Sequence, residues 1–258
     1  MSLNVHRFGE EGAPRLVCLH GVTSWGGHFR GLAERLPGWE VLAPDLLGHG
    51  SSRQEPPWSV EDQVEAVLAA CGGAPAVWLG HSYGGRVAFE VAAREPAVVE
   101  RLIFLDPAIL LLPHVGLYAA EQARLDRSYA SFDEAIDRRY EESRLQRAPR
   151  ELLVEELGDH LVPDGDAVWR YRYTQAAVVA SYSELTREPP PFRSVRVPTL
   201  LVLGEDSYLS YEHLLDAHRA ALGDLLEVVE VPGGHTVLWD ALDETAAAVA
   251  RFLNNYAA

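Results

Sequence analysis

The sequence predicts an α/β fold: a mostly parallel sheet with helices on both faces and a helical segment inserted between two of its strands. Three observations carry that prediction. Short apolar runs alternate with amphipathic stretches at helical spacing, as a parallel sheet requires because crossover helices join its strands. The alternation breaks once, between about residues 106 and 198, where Glu, Arg, Leu and Tyr recur at helical spacing without a strong strand run. Finally, in AVWLGHSYGGRVAF, residues 76–89, an apolar run passes into a helical pattern through a serine set among glycines.

Taken in order, the strand runs are 15–20, 40–43, 76–80, 101–105, 199–204 and 225–231, each too short for a buried helix. Helical spacing fits 28–36, 60–70, 84–94, 211–222 and 242–252. Inside the break it fits 118–127 and 132–145, which predicts three or four helices and no strong strand. The break opens on Pro107 and Pro113 and closes on Glu188-Pro189-Pro190-Pro191, a stiff connector back to the sheet. The expected division is a core of 1–106 and 198–258 with a helical cap, 107–197, inserted between core strands.

Charge narrows the partners. Asp plus Glu number 38 against 22 basic residues, a net charge of -16, which argues against nucleic acid and against an anionic membrane. All 22 basic residues are arginine. Without lysine there is no Schiff-base chemistry, no lysine-linked pyridoxal phosphate and no lysine-dependent phosphate loop. Two cysteines are too few for a disulfide framework, and Cys18, inside Leu16-Val17-Cys18-Leu19, reads as a buried small residue. No His, Cys, Asp or Glu group has metal-ligand spacing and no dinucleotide fingerprint occurs, so neither metal nor cofactor is expected. No apolar stretch reaches about 18 residues and no signal-like start precedes the first run, so the expectation is a cytoplasmic protein, monomer or homodimer.

Gly80-His81-Ser82-Tyr83-Gly84 fits G-x-S-x-G in its required context, after a strand and opening a helix. A sharp strand-to-helix turn strains the serine backbone and demands neighbours without side chains. It also puts the NH of Tyr83 at a helix N-terminus, where it can face a developing oxyanion. A serine hydroxyl needs a neighbouring base. His235, after the last strand and two glycines, occupies the place for it in the chain order serine, acid, histidine. His81 adjoins Ser82, but on this turn its side chain should point away. In VCLHGVTSWGG, residues 17–27, Gly21 would let the NH of Val22 turn inward as a second oxyanion donor, with His20 bonding in the loop. Asp45 and His49, in APDLLGHGSS, read as loop-ordering residues by the same reasoning.

With these segments, VPTLLVLGED and VPGGHTVLWD in place, the sequence resembles the α/β-hydrolase fold superfamily over nearly its whole length. It is most similar to the branch of capped esterases, lactonases, C–C bond hydrolases and cofactor-free haloperoxidases. The resemblance implies an eight-stranded sheet, a Ser–His–acid triad and an oxyanion hole from the NH groups of Val22 and Tyr83. It also implies an acid three residues after the glycine ending the penultimate strand. Here that glycine is Gly204 and the residue is Ser207; Asp206 lies one place early. Asp106, ending RLIFLD, is the alternative, since some relatives carry the acid at that strand end. Either need only reach the far ring nitrogen of His235, so both stay open, with Glu205 a third possibility.

Trp25, His28, Phe29, Trp169 and Trp239 are expected to line the substrate pocket, with further cap aromatics among Tyr118, Tyr129, Tyr171 and Tyr173. The charge run Asp137-Arg138-Arg139-Tyr140-Glu141-Glu142 reads as a solvated helix face. Serine, rather than aspartate, as nucleophile points to an acyl-enzyme. The expectation is a serine hydrolase acting on a small or medium hydrophobic ester. A lactone, a thioester or a C–C bond would use the same triad, and a small-molecule receptor on the hydrolase scaffold is the rival from another class.

Overall fold

The strand runs alternate their side chains between two apolar layers. Val17, Leu19, Trp78, Leu102 and Phe104 enter one buried cluster, and Leu16, Cys18, Val77, Leu79, Ile103 and Leu105 enter another. Strands apolar on both faces belong in the middle of a parallel sheet. The computed structural model, which describes residues 2–165, 168–209 and 211–255, has this arrangement.

In chain order the elements begin β1 (Val5–Gly9), β2 (Arg15–Leu19), α1 (Arg30–Glu34), β3 (Glu40–Pro44), α2 (Val60–Cys71), β4 (Ala76–His81), α3 (Tyr83–Arg94) and β5 (Val99–Leu105). Then follow α4 (Pro113–Ala123), α5 (Phe132–Ser143), α6 (Arg150–Gly158), β6 (Leu161–Asp164), β7 (Val168–Tyr171) and α7 (Gln175–Glu184). The chain returns with β8 (Thr199–Gly204), α8 (Glu212–Leu222), β9 (Leu226–Val231), α9 (Val237–Asp240) and α10 (Leu242–Asn255). The main sheet has the order β1-β3-β2-β4-β5-β8-β9; β1 is antiparallel to β3 and the other pairs are parallel.

Two expectations need correction. The sheet has seven strands among the described residues, not eight: a single antiparallel strand, β1, lies beyond β3. It is half-exposed, and Arg7 on it pairs with Glu40 at 3.1 Å, a charged edge that does not invite another strand. The inserted stretch is not all helix. It carries α4 to α7 and also the antiparallel hairpin β6–β7, whose four-residue strands are too short to register as runs. Its own apolar cluster includes Ile136, Leu153, Leu157, Leu161 and Tyr171, together with Trp239.

The register assembles one sheet edge. Leu19 pairs with Gly80, His81 with Leu105, and Leu105 with Val202. The chain therefore leaves β2, β4, β5 and β8 side by side at their C-terminal ends, where open α/β sheets place their ligands.

Candidate active site

Ser82 sits between β4 and α3 with φ 53° and ψ -120°, in a region that L residues rarely adopt. A Cβ on Gly84 would lie 2.0 Å from the carbonyl oxygen of Leu19, and one on Gly80 2.3 Å from that of Gly84. The glycines are thus dictated by contact across the turn. Thr23 (φ 65°) and Asp106 (φ 40°) share the positive-φ strain, and all three follow strand ends at this one edge. Such outliers cost of order 1–3 kcal/mol each, and a fold keeps them where the geometry is needed.

His235 Nε2 lies 3.0 Å from Ser82 Oγ, and His235 Nδ1 lies 2.5 Å from Asp106 Oδ2. A carboxylate can only accept, so Nδ1 carries the proton and Nε2 presents its lone pair to the hydroxyl. Asp106 is further held by the NH of Gly204, which donates to Oδ1 at 3.0 Å, and by Ser207, whose hydroxyl donates to Oδ2 at 2.5 Å. All of this is sheltered, with Asp106 2% and His235 7% exposed. Of the two aspartates left open by sequence, Asp106 is the one bonded to the histidine. Asp206 is exposed, one residue short on its loop, where its NH donates to the carbonyl of Gly233 at 2.9 Å. Ser207 stands where the resemblance expects the acid and donates to Asp106 instead.

The loop after β2 closes against the serine. A Cβ on Gly21 would lie 2.9 Å from Ser82 Cβ, so Val22 follows a residue in direct contact with the nucleophile position. His20 holds this loop: its Nε2 accepts from the NH of Leu46 at 2.9 Å and its Nδ1 donates to the carbonyl of Gly21 at 2.8 Å. Burial, then His49, push its pKa down to about 3, so it stays neutral. His81 donates through Nε2 to the backbone carbonyl of His235 at 3.1 Å. Burial, then His235 and His28, drive its pKa well below the usual value, so it is a neutral support for the histidine loop. Asp45 is ringed by the NH groups of Gly26 (2.8 Å) and Ser51 (2.9 Å), by Asn4 and by His6.

Above Ser82 lies a cavity of about 420 Å³. Trp25, His28 and Trp239 line it, as expected. Phe29 and Trp169 do not. Phe29 is fully buried beside Leu32 and Val249 on one sheet face, and Trp169, on β7, packs edge-on against Phe132 with ring centroids 5.5 Å apart. Of the other cap aromatics only Tyr118 reaches the wall, joined by Tyr182 and Tyr208, which the sequence reading did not single out.

Three polar residues also escaped that reading. Glu156 on α6 is buried and accepts from His28 Nδ1 at 2.9 Å and from Trp239 Nε1 at 2.5 Å, fixing both on the cavity wall. Asp240 Oδ1 accepts from the NH groups of Gln146, Arg147 and Ala148, while its Oδ2 accepts from Gly234, tying the histidine loop to the insertion. Arg139 is not on a solvated face: it is 6% exposed and lines the cavity. The signal for Glu156 and Arg139 was positional. Each occupies the buried stripe of its helix, with Leu153 and Leu157 in one case and Ala135 and Ile136 in the other.

Residues 16–248 match the alpha/beta hydrolase family. The chain belongs to that family. Over 259 aligned residues this α/β hydrolase is 33% identical to Lipase LipV of Mycobacterium tuberculosis, covering 96% of this chain and 97% of the relative. It is 28% identical to the sn-1-specific diacylglycerol lipase ABHD11 of Mus musculus, covering 95% of this chain and 82% of that one. Among solved structures, E-2-(acetamidomethylene)succinate hydrolase superposes with a TM-score of 0.84 at 24% identity, over 98% of this chain and 95% of the other, a likeness of fold. Among the described residues no helix is long and apolar enough to cross a membrane.

Proposed function

We propose that this α/β hydrolase is a serine hydrolase that cleaves a carboxylic ester through an acyl-enzyme on Ser82. One observation carries the reading: the 3.0 Å contact from His235 Nε2 to Ser82 Oγ, with Nδ1 of the same ring bonded to Asp106. In this reading His235 takes the hydroxyl proton as Ser82 attacks the carbonyl. Asp106 fixes the tautomer and stabilises the imidazolium that forms. The NH groups of Val22 and Tyr83 receive the oxyanion, a contribution of about 3–4 kcal/mol per donor in comparable sites. His235 then protonates the leaving alcohol and activates the water that releases the acid. Residues 107–197 act as a cap over a core of 1–106 and 198–258, shaping the cavity. The lipase names of the relatives support ester chemistry; lactones and thioesters would use the same machinery and belong in the same substrate panel.

The test is ester turnover by the Ser82→Ala variant, together with labelling by a fluorophosphonate probe. Turnover should fall at least about 10³-fold, as loss of a nucleophile does in such triads, with the far-ultraviolet spectrum and melting curve kept. Labelling should vanish with it. A folded variant that still turns over esters like the wild type would refute the assignment.

A further inference from the structure

We propose that the natural substrate carries a carboxylate besides its scissile ester, and that Arg139 binds it. This rests on the ester-hydrolase reading and narrows its substrate class to half-esters of dicarboxylic acids.

Arg139 projects from the buried stripe of α5 into the cavity wall. Its Nε donates to Tyr171 Oη at 3.2 Å, and its Cζ lies 4.3 Å over the same ring. Its Nη1 reaches Thr23 Oγ1 only at 3.4 Å, and its Nη2 is buried without a hydrogen-bond partner. Among the described residues no carboxylate lies within 4.0 Å of it. Among the described residues Glu142 is the one carboxylate on that wall; it pairs with Arg127 at 2.9 Å and Arg138 at 3.9 Å and reaches Arg139 only by longer-range attraction. Arg144, also on the wall, has no ion pair among the described residues and lies over Tyr208 at 5.5 Å. A chain of net charge -16 thus gathers, among its described residues, three guanidinium groups against one carboxylate around its cavity.

A guanidinium stays protonated at any working pH, and burying one that has no carboxylate in hydrogen-bond reach leaves a cost that an anionic ligand would offset. Nη1 and Nη2 of a guanidinium form a fork that matches the two oxygens of a carboxylate, and here Nη1 is held only by the long bond to Thr23 and Nη2 by no partner. The same fork can hold a phosphate, so inorganic phosphate is an arm of the test below. The low-dielectric walls focus the positive field and favour an anionic substrate before contact. The rest of the lining, including Leu111, Val115, Leu157 and Leu185, suits a methylene spacer between the two ends.

The experiment compares monoethyl esters of the dicarboxylic acids from succinic to suberic with ethyl esters of monocarboxylic acids of matched length. Turnover is followed by proton release with the full chain, its Arg139→Gln variant and its Arg139→Lys variant. In parallel, calorimetry reads binding of the free diacid anions, and of inorganic phosphate, to the Ser82→Ala and Ser82→Ala/Arg139→Gln proteins. At one spacer length the wild type should favour the half-ester at least about tenfold in kcat/KM, expressed in KM, as expected for a hydrogen-bonded charge. Arg139→Gln should lose about 10–100-fold more on half-esters than on neutral esters, and Arg139→Lys should keep part of the preference, having the charge without the fork. If Arg139→Gln does not fold, the wild-type preference and Arg139→Lys decide. Equal kcat/KM for charged and neutral esters at every length overturns the proposal, as does tighter binding of phosphate than of any diacid. If no ester is turned over, the hydrolase reading fails alone. Diacid binding that depends on Arg139 would then still uphold the anion site, and its absence would end it.

Discussion

Asp45 and Asp106 each follow the C-terminal end of a parallel strand, β3 and β5, and both are buried and ringed by hydrogen-bond donors. They differ in what those donors are. Asp45 is held by the NH groups of Gly26 and Ser51, in the loops it joins, and by Asn4 and His6 at the start of β1. Burial alone would raise its carboxyl pKa, but the bonds from His6, Gly26 and Ser51 outweigh burial and hold it well below the usual range. Asp106 gives one oxygen to the NH of Gly204 and shares the other between Ser207 and an imidazole that also touches Ser82. The same residue at the same place in the repeat is therefore a structural knot in one case. In the other it is bonded to the imidazole that touches Ser82, which the proposed function uses to orient that ring and stabilise its charged form. Neighbours, not residue type, make the difference.

The comparison is broken most directly by Asp106→Asn. An amide cannot act as the acceptor-only partner that fixes Nδ1–H, and the ring can settle in the wrong tautomer. The proposed role predicts a kcat loss of about 10³–10⁴-fold with little change in melting temperature. Asp206→Asn, on an exposed loop, should leave kcat within about twofold, since surface substitutions rarely matter. Esterase assays on both variants, with melting curves, check this; the reverse ranking would assign the acid to Asp206.

Asp45→Asn should give the opposite outcome. Replacing a buried carboxylate held by charge-assisted bonds costs about 2–4 kcal/mol of stability, with kcat in the surviving folded protein little changed. Its pH dependence has a definite sign. The folded carboxyl titrates below its ordinary 3.8, so its stabilisation is complete above that value and is lost as pH falls further. Urea midpoints for wild type and Asp45→Asn should therefore differ most near neutrality and converge in acid. A difference that grew as the pH fell would contradict the account.

How much of this was legible in the sequence follows from what each feature depends on. Five of the six core strand runs were readable because a strand buried on both faces must be largely apolar, and the sixth, the half-buried edge strand β9, because its valines alternate with glutamates. β1 is half-exposed and its partner β3 lies some way along the chain, while the β6–β7 hairpin pairs locally but through strands too short to show the signal. Ser82, His235 and the Gly21 loop were readable because close contacts across the turn restrict residue type. Asp106 could not be separated from Asp206 by sequence, since the choice turns on which side chain faces the His235 ring, a matter of tertiary packing. Arg139 and Glu156 were hidden for another reason: each sits in a charged helix segment, and only tertiary packing turns one charge of the run inward.

The smallest expected effect sharpens the comparison most. Ser207 Oγ and His235 Nδ1 each lie 2.5 Å from the same oxygen of Asp106, and Ser207 Oγ also accepts from the NH of Leu209 at 3.2 Å. Ser207→Ala removes one of the carboxylate's donors but leaves Gly204 and the histidine in place. A single hydrogen bond to a charged group corresponds to about tenfold, so kcat should fall by about that factor, far less than with Asp106→Asn. Because Ser207 is within reach of the shared oxygen, a carboxylate there can take over the bond to Nδ1. In the wild-type background Ser207→Asp would set two like charges together and should depress activity. In the Asp106→Asn background the same substitution should recover at least about tenfold, the value of one restored charge-assisted bond. Recovery would make the two strand ends interchangeable supports for one histidine. No recovery would mean that the strained backbone at Asp106, with φ 40°, sets a geometry that the neighbouring loop cannot reproduce.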